Sequence, residues 1–171
     1  MFSVATTRFN SATFDENQSW RKRHAHEGCV YGVMKPITTA TIPLESYLFV
    51  MEMNNETNEI MGLGLIQNMI EPKENVRIYS NPNYCYYAYH SPYRVDRAEF
   101  PERTQHVVAI MEILVFKGST HMKRGQGITV VPEALLLRGK MDFVSEFAQV
   151  FKQKYQALRF DGQSLTVRRP G

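Results

Sequence analysis

The sequence predicts a single α+β domain, strands with flanking helices. Three observations carry this. Two apolar runs, Ser46 to Met53 and Ile60 to Ile70, flank a short polar turn, Asn54 to Asn58, which is a hairpin pattern. Apolar residues spaced three and four apart mark two helices, one through Val107, Ile110, Met111 and Leu114, the other through Phe143, Phe147, Phe151 and Tyr155. Gly62 and Gly64 interrupt the second strand, as a bulge, a barrel bend or the close approach of a ligand or another backbone would require.

The remaining elements follow in chain order. Met1 to Ser11 lacks the apolar stretch of a secretory signal, so secretion is not expected. Thr13-Phe14-Asp15-Glu16 reads as a capping box, with Thr13 as cap and Glu16 reaching back, opening a helix to about His24. Cys29 to Lys35 is a short strand ended by Pro36. After the hairpin, Asn81-Pro82-Asn83 is a turn, Tyr84 onward is a strand interrupted by Pro92, and Tyr93 to Asp96 continues it. Pro101 suits a helix first turn, and that helix runs to Lys117 with Gly118 beyond its end. Ile128 to Val131 is a strand stopped by Pro132, and Leu135 to Leu137 reads as another. The helix from Met141 to Tyr155 precedes a turn at Asp161-Gly162-Gln163 and a short strand to Val167.

Composition bounds the class. The chain has 171 residues, 43% hydrophobic and 22% charged, which is a globular composition of one-domain size. No apolar run reaches the roughly 18 residues of a bilayer span, so no membrane partner is expected. Net charge is +3, too small by itself to imply nucleic acid. Its distribution is more informative: Arg21-Lys22-Arg23 and Lys117, Lys123 and Arg124 are basic clusters, Arg168-Arg169 ends the chain, and Ile42 to Glu71 holds five acids and no base. Cys29 and Cys85 read as separate buried thiols or as a disulfide pair.

Two segments carry the candidate chemistry. Lys117 to Gly127 packs three glycines, two hydroxyls and four cationic side chains into eleven residues. Glycines let backbone amides turn toward an anion, so Lys117, Ser119, His121, Lys123, Arg124 and Gln126 are the expected phosphate and base-edge contacts, with Arg21 as a further cation. The second segment holds Tyr84, Tyr86, Tyr87, Tyr89 and Tyr93, five of the nine tyrosines. Aromatic faces can stack bases, and Trp20, Tyr31, Tyr84, Tyr86 and Tyr93 are the expected stacking set. Strand alternation sends Tyr84 and Tyr86 to one face and Tyr87 and Tyr89 to the other, so one set belongs to the core. Trp20 likewise has two readings, pocket wall or core anchor. His24-Ala25-His26-Glu27-Gly28-Cys29 contains four potential metal ligands without a second ligand group, so neither metal nor cofactor is expected. No nucleophile elbow, Walker loop or His-Glu-x-x-His occurs, and no catalytic residue is assigned.

Two resemblances add to this. Phe49-Val50-Met51-Glu52-Met53, the polar turn, Ile60-Met61-Gly62-Leu63-Gly64-Leu65-Ile66 and Tyr93-Arg94-Val95-Asp96 resemble, over about half the chain, the PUA-like superfold in its EVE and YTH-type branches. That resemblance implies a small bent mixed β-barrel with flanking helices that holds a modified or unpaired base of DNA or RNA in an aromatic pocket. The full-length pattern is similar to proteins encoded by giant DNA viruses, on Gly28-Cys29-Val30-Tyr31-Gly32, on Met51 through Gly62 and on Lys117 through Thr129. It implies viral origin and a place in the infected cell or the virion. Three functions from different classes are therefore expected: a nucleic-acid reader that performs no chemistry on its ligand, a minor structural protein of a virus particle that contacts other virion proteins, or an enzyme that uses the same loop to hold a nucleotide.

Overall fold

A computed structural model describes residues 2–70, 76–161 and 164–167. The expected turn at 162–163 and the Arg168-Arg169 pair lie outside them.

The chain is mixed α+β. Strand β1 (Phe2–Phe9) leads into helix α1 (Ser11–Arg23), followed by β2 (Cys29–Val33), β3 (Tyr47–Asn54), β4 (Glu59–Gln67), β5 (Tyr87–Ser91) and β6 (Arg94–Asp96). Helix α2 (Glu102–Phe116), β7 (Ile128–Val130), α3 (Glu133–Arg138), α4 (Phe143–Lys154), β8 (Leu158–Asp161) and β9 (Ser164–Val167) complete it. Five strands form one sheet in the order β6-β4-β3-β1-β7, while β2 pairs with β5 and β8 with β9 as two-stranded ribbons. Among the described residues these strands form no closed barrel. Within the sheet β1 and β3 are parallel, with Phe9 opposite Asn54, and the other pairings are antiparallel.

The sheet is buried on both faces, which is why β3 reads as nearly continuous apolar sequence. Phe49, Met51 and Met53 point to one side and pack under α2 and α4, where Phe143, Phe147 and Phe151 are buried. Leu48 and Val50 point to the other side, under α1 and the β2–β5 ribbon. Each of these core side chains contributes about 1.5–3 kcal/mol of burial free energy.

One charged side chain on β3 also enters the interior. Glu52 is 1% exposed and Arg94 on β6 is 4% exposed. The Arg94 guanidinium donates from Nε to Glu52 Oε1 at 3.0 Å and from NH2 to Oε2 at 2.7 Å, and from NH1 to Asp96 at 3.0 Å. Burial alone would lower the Arg94 pKa, but the Glu52 charge and hydrogen bonds outweigh it and hold the guanidinium above its usual range. Tyr31 is fully buried beside them and its hydroxyl donates to Glu52 Oε1 at 2.9 Å.

This network accounts for the two β4 glycines. A Cβ at Gly62 would lie 2.7 Å from Arg94 NH2 and 2.8 Å from Glu52 Oε2. A Cβ at Gly64 would lie 2.1 Å from the Tyr31 hydroxyl and 2.9 Å from Cys29 Sγ. The glycines therefore give room to buried polar side chains of neighbouring strands.

Several local expectations are corrected. The cap of α1 is Asn10, whose side chain accepts from the Thr13 amide at 2.8 Å; Thr13 takes the inner position of the capping box, and Glu16 instead accepts from the Ser80 amide at 3.2 Å. Residues Leu135 to Leu137 lie in a helix. Pro82–Cys85 is a 3-10 turn, so the tyrosine strand begins only at Tyr87. The N-terminal segment, in which no element was foreseen, is the second innermost strand of the sheet. Cys29 and Cys85 are free thiols.

On the outer edge of β6, the Tyr155 hydroxyl accepts from the Arg94 amide at 3.0 Å and donates to the Arg94 carbonyl at 2.7 Å. No described helix is long and apolar enough to cross a membrane.

Candidate nucleotide-sized cleft

Parallel strands β1 and β3 end side by side, and the Asn55 amide continues their pairing by donating to the Phe9 carbonyl at 2.8 Å. The chain turns directly from β1 into α1 at Asn10. The carboxyl end of a parallel pair, where strand gives way to helix, is a recurrent place for ligands in open sheets. A cleft of about 360 Å³ opens here, within the range of small-molecule sites.

Buried Phe9, Val33 and Tyr79 supply its apolar floor. Tyr79 is held by Asn17, whose amide donates to the Tyr79 hydroxyl at 3.2 Å and to the Val30 carbonyl at 2.7 Å. Burial raises the Tyr79 phenol well above its usual range, so it is neutral. Tyr84 packs edge-on against Tyr79, with centroids 6.4 Å apart, and keeps 40% of its surface exposed at the mouth. Arg8, Asn10, Thr13 and Asn55 add polar groups, and Gln126 and Gly127 bring in the glycine-rich loop.

That loop is fixed in place. The Met122 amide donates to the Val115 carbonyl at 2.7 Å, anchoring the loop to the end of α2. The Lys123 carbonyl accepts from Arg8 NH1 at 3.2 Å and from Asn55 Nδ2 at 2.9 Å, and Lys123 Nζ donates to Asn58 Oδ1 at 2.7 Å. The strap thus ties β7 and α2 to the ends of β1 and β3. Gly127 has φ +64°, a conformation glycine adopts without strain.

The expected site residues separate into groups. Gln126 and Tyr84 line the cleft, and Lys123 braces its rim. Arg124 is exposed on the same loop. His121 accepts from the Lys123 amide at 3.3 Å; Lys117 and Ser119 are exposed at the end of α2 and do not line the cleft. Tyr31 belongs to the buried Glu52 network, which leaves no face for a base. Tyr93 packs edge-on against Tyr155 on the sheet's other side, with centroids 5.1 Å apart. Tyr86 is exposed and its hydroxyl donates to Asn83. Trp20 stacks on His24 at 4.1 Å, beside Arg21 on the last turn of α1. The cleft also recruits Arg8, Asn10, Asn55 and Tyr79, none foreseen; the available signal was the Arg8-Phe9-Asn10 junction, once Phe2–Phe9 is recognised as a strand entering a helix.

The described residues contain no group of three or more His, Cys, Asp or Glu that could hold a metal ion. Burial, then the Glu52 charge, push the Cys29 thiol up to about 12, which disfavours its thiolate. Comparison with protein-family models, with curated proteins and with solved structures finds no match to this chain.

Proposed function

We propose that the chain is a nucleic-acid-binding module that holds one unpaired or extruded base in the cleft between Tyr84 and the Gln126-Gly127 loop. The single observation that supports this is the convergence of an exposed aromatic ring, a neutral amide-rich rim and a guanidinium on one nucleotide-sized hollow. Tyr84 offers a π-face, Gln126 and Asn55 offer base-edge hydrogen bonds, and Arg8, with Lys123 and Arg124 on the adjoining strap, offers charge to the phosphates. No step of chemistry on the ligand is involved. Kinship with the PUA-like modules is the finer form of this proposal, supported by the β2–β5 ribbon lying over the sheet. Origin in a giant DNA virus, with action in the infected cell or virion, completes it. The test is fluorescence anisotropy with single-stranded, double-stranded and methylated oligonucleotides across a salt series. Binding that weakens linearly in log salt is expected, and its absence overturns the proposal.

A structural role in a virus particle is the second reading. Leu44, Met69 and Ile70 are exposed near the paired ends of β3 and β4, where the Glu45 amide donates to the Asn68 carbonyl. Mass spectrometry of purified particles discriminates: many copies per particle favour this role, and absence removes it.

A further inference from the structure

A second hollow, of about 450 Å³, lies at the other end of α1, lined by Gln18, Arg21, Lys22, His26, Glu27 and Asp96. Arg21 stands about 12 Å along the helix axis from Thr13 at the first cleft. We propose that this hollow is an anion site that holds a phosphoryl group between Arg21 and Lys22. It does not depend on the reading of the first cleft.

The argument starts from Arg21. It is half-buried, and its one hydrogen bond among the described residues runs from Nε to Asn17 Oδ1 at 3.1 Å. Burial and the charge of Arg94 behind it lower its pKa, so its surroundings disfavour the cation. Partly buried guanidinium groups are normally matched by a carboxylate. Among the described residues no carboxylate lies within ion-pair distance of Arg21. Buried Glu52 accepts from Nε and NH2 of Arg94, and Asp96, part-exposed at the hollow, takes one bond from Arg94 and one from the Ala98 amide. Glu27 is exposed at the rim. Lys22 alone would be an ordinary solvated cation near a helix carboxyl end. Arg21 is not solvated in that way, and the hollow in front of it is open.

The carboxyl end of α1 is the negative pole of its dipole, offset by Arg21, Lys22 and Arg23 in the last turn. Its carbonyls accept bonds within the turn: Trp20 from the His24 amide and ring, Lys22 from Ala25, and Arg21 from His26. His26 Nε2 lies 3.0 Å from the Cys29 carbonyl, so that nitrogen is the donor and holds the ring at the edge of the hollow. A phosphoryl oxygen set between Arg21 and Lys22 completes the guanidinium's hydrogen bonds and its charge. The shared chemistry is a phosphate oxygen, carried either by a nucleic-acid backbone or by a free phosphate ester.

Trp20 is the only tryptophan, stacked on His24 and 6.0 Å edge-on from His26, so its emission reports this hollow. The experiment titrates inorganic phosphate and, separately, a short oligothymidylate at constant ionic strength while Trp20 fluorescence is followed. A saturable change is expected with inorganic phosphate. Arg21→Gln should weaken it by about tenfold, and Lys22→Gln, at an exposed position that leaves folding intact, by about threefold. Tyr84→Ala should leave it unaltered. A tighter, Arg21-dependent response to the oligonucleotide assigns the phosphate to nucleic acid; a response to phosphate alone assigns it to a free ester. No saturable change with either probe, or a change that survives both Arg21→Gln and Lys22→Gln, overturns the site. Oligonucleotide binding lost in Tyr84→Ala speaks only to the first cleft.

Discussion

Glu52 and Arg94 are 42 residues apart in sequence and meet as an ion pair in the interior of the sheet, with Nε and NH2 of Arg94 and the Tyr31 hydroxyl as three donors to the carboxylate. Removing one partner leaves the other charged and buried. Glu52→Ala should therefore cost about 3–5 kcal/mol, read as a lower urea midpoint with unchanged slope. Replacing both residues by methionine should cost less than the sum of the single changes, because no uncompensated charge remains.

The close approach of Gly64 to the Tyr31 hydroxyl predicts a coupling. Gly64→Ala drives a methyl into the Tyr31 hydroxyl and should destabilise by about 1–3 kcal/mol. In a Tyr31→Phe background the nearest atom is gone, leaving Cys29 Sγ at 2.9 Å from the same Cβ position. Part of the loss should return, so a double-mutant cycle in urea should give a non-zero interaction energy; strict additivity would contradict the packing described.

The two thiols should differ in reactivity. Cys29 is buried and its thiol is pushed up to about 12, so at pH 8 to 9 it carries almost no thiolate. Cys85 is only partly buried. Alkylation of the folded protein followed by mass spectrometry should mark Cys85 alone, and denaturation should expose both. Raising the pH within the range where the fold persists should not bring Cys29 into reaction.

Oligonucleotide affinity should depend on two cleft residues in different ways. Tyr84→Ala removes the exposed ring and should cost about 1–3 kcal/mol of affinity for single strands. Arg8→Gln should instead lower the slope of log affinity against log salt by about one, as loss of one phosphate contact does. Anisotropy titrations at several salt concentrations separate the two effects.

The parts of the fold that the chain announces are those whose apolar spacing is complete. The β3–β4 hairpin and the helices ending near Phe116 and Lys154 all occur close to where their patterns place them. β1 was hidden because Thr6, Thr7 and Arg8 break its apolar alternation; both threonines are nevertheless buried, between β3 and β7. Leu135-Leu136-Leu137 is too short for its period to separate strand from helix, and its flanking Pro132 and Gly139 suit either. The candidate cleft was legible only in part. Its loop and Tyr84 lie in distinctive segments, whereas Arg8, Asn55 and Tyr79 arrive through the parallel register of β1 with β3 and through Asn17 reaching across from α1. Gly62 and Gly64 stand out in the sequence, but what they make room for depends on Tyr31 and Arg94, which belong to other strands.

The Tyr155 hydroxyl occupies both outward-facing backbone groups of Arg94. An intruding polypeptide would have to break those two bonds before it could extend the sheet at that residue, so this flank is protected against templated aggregation. At Arg94 a single phenol thus stands where a further strand would otherwise pair.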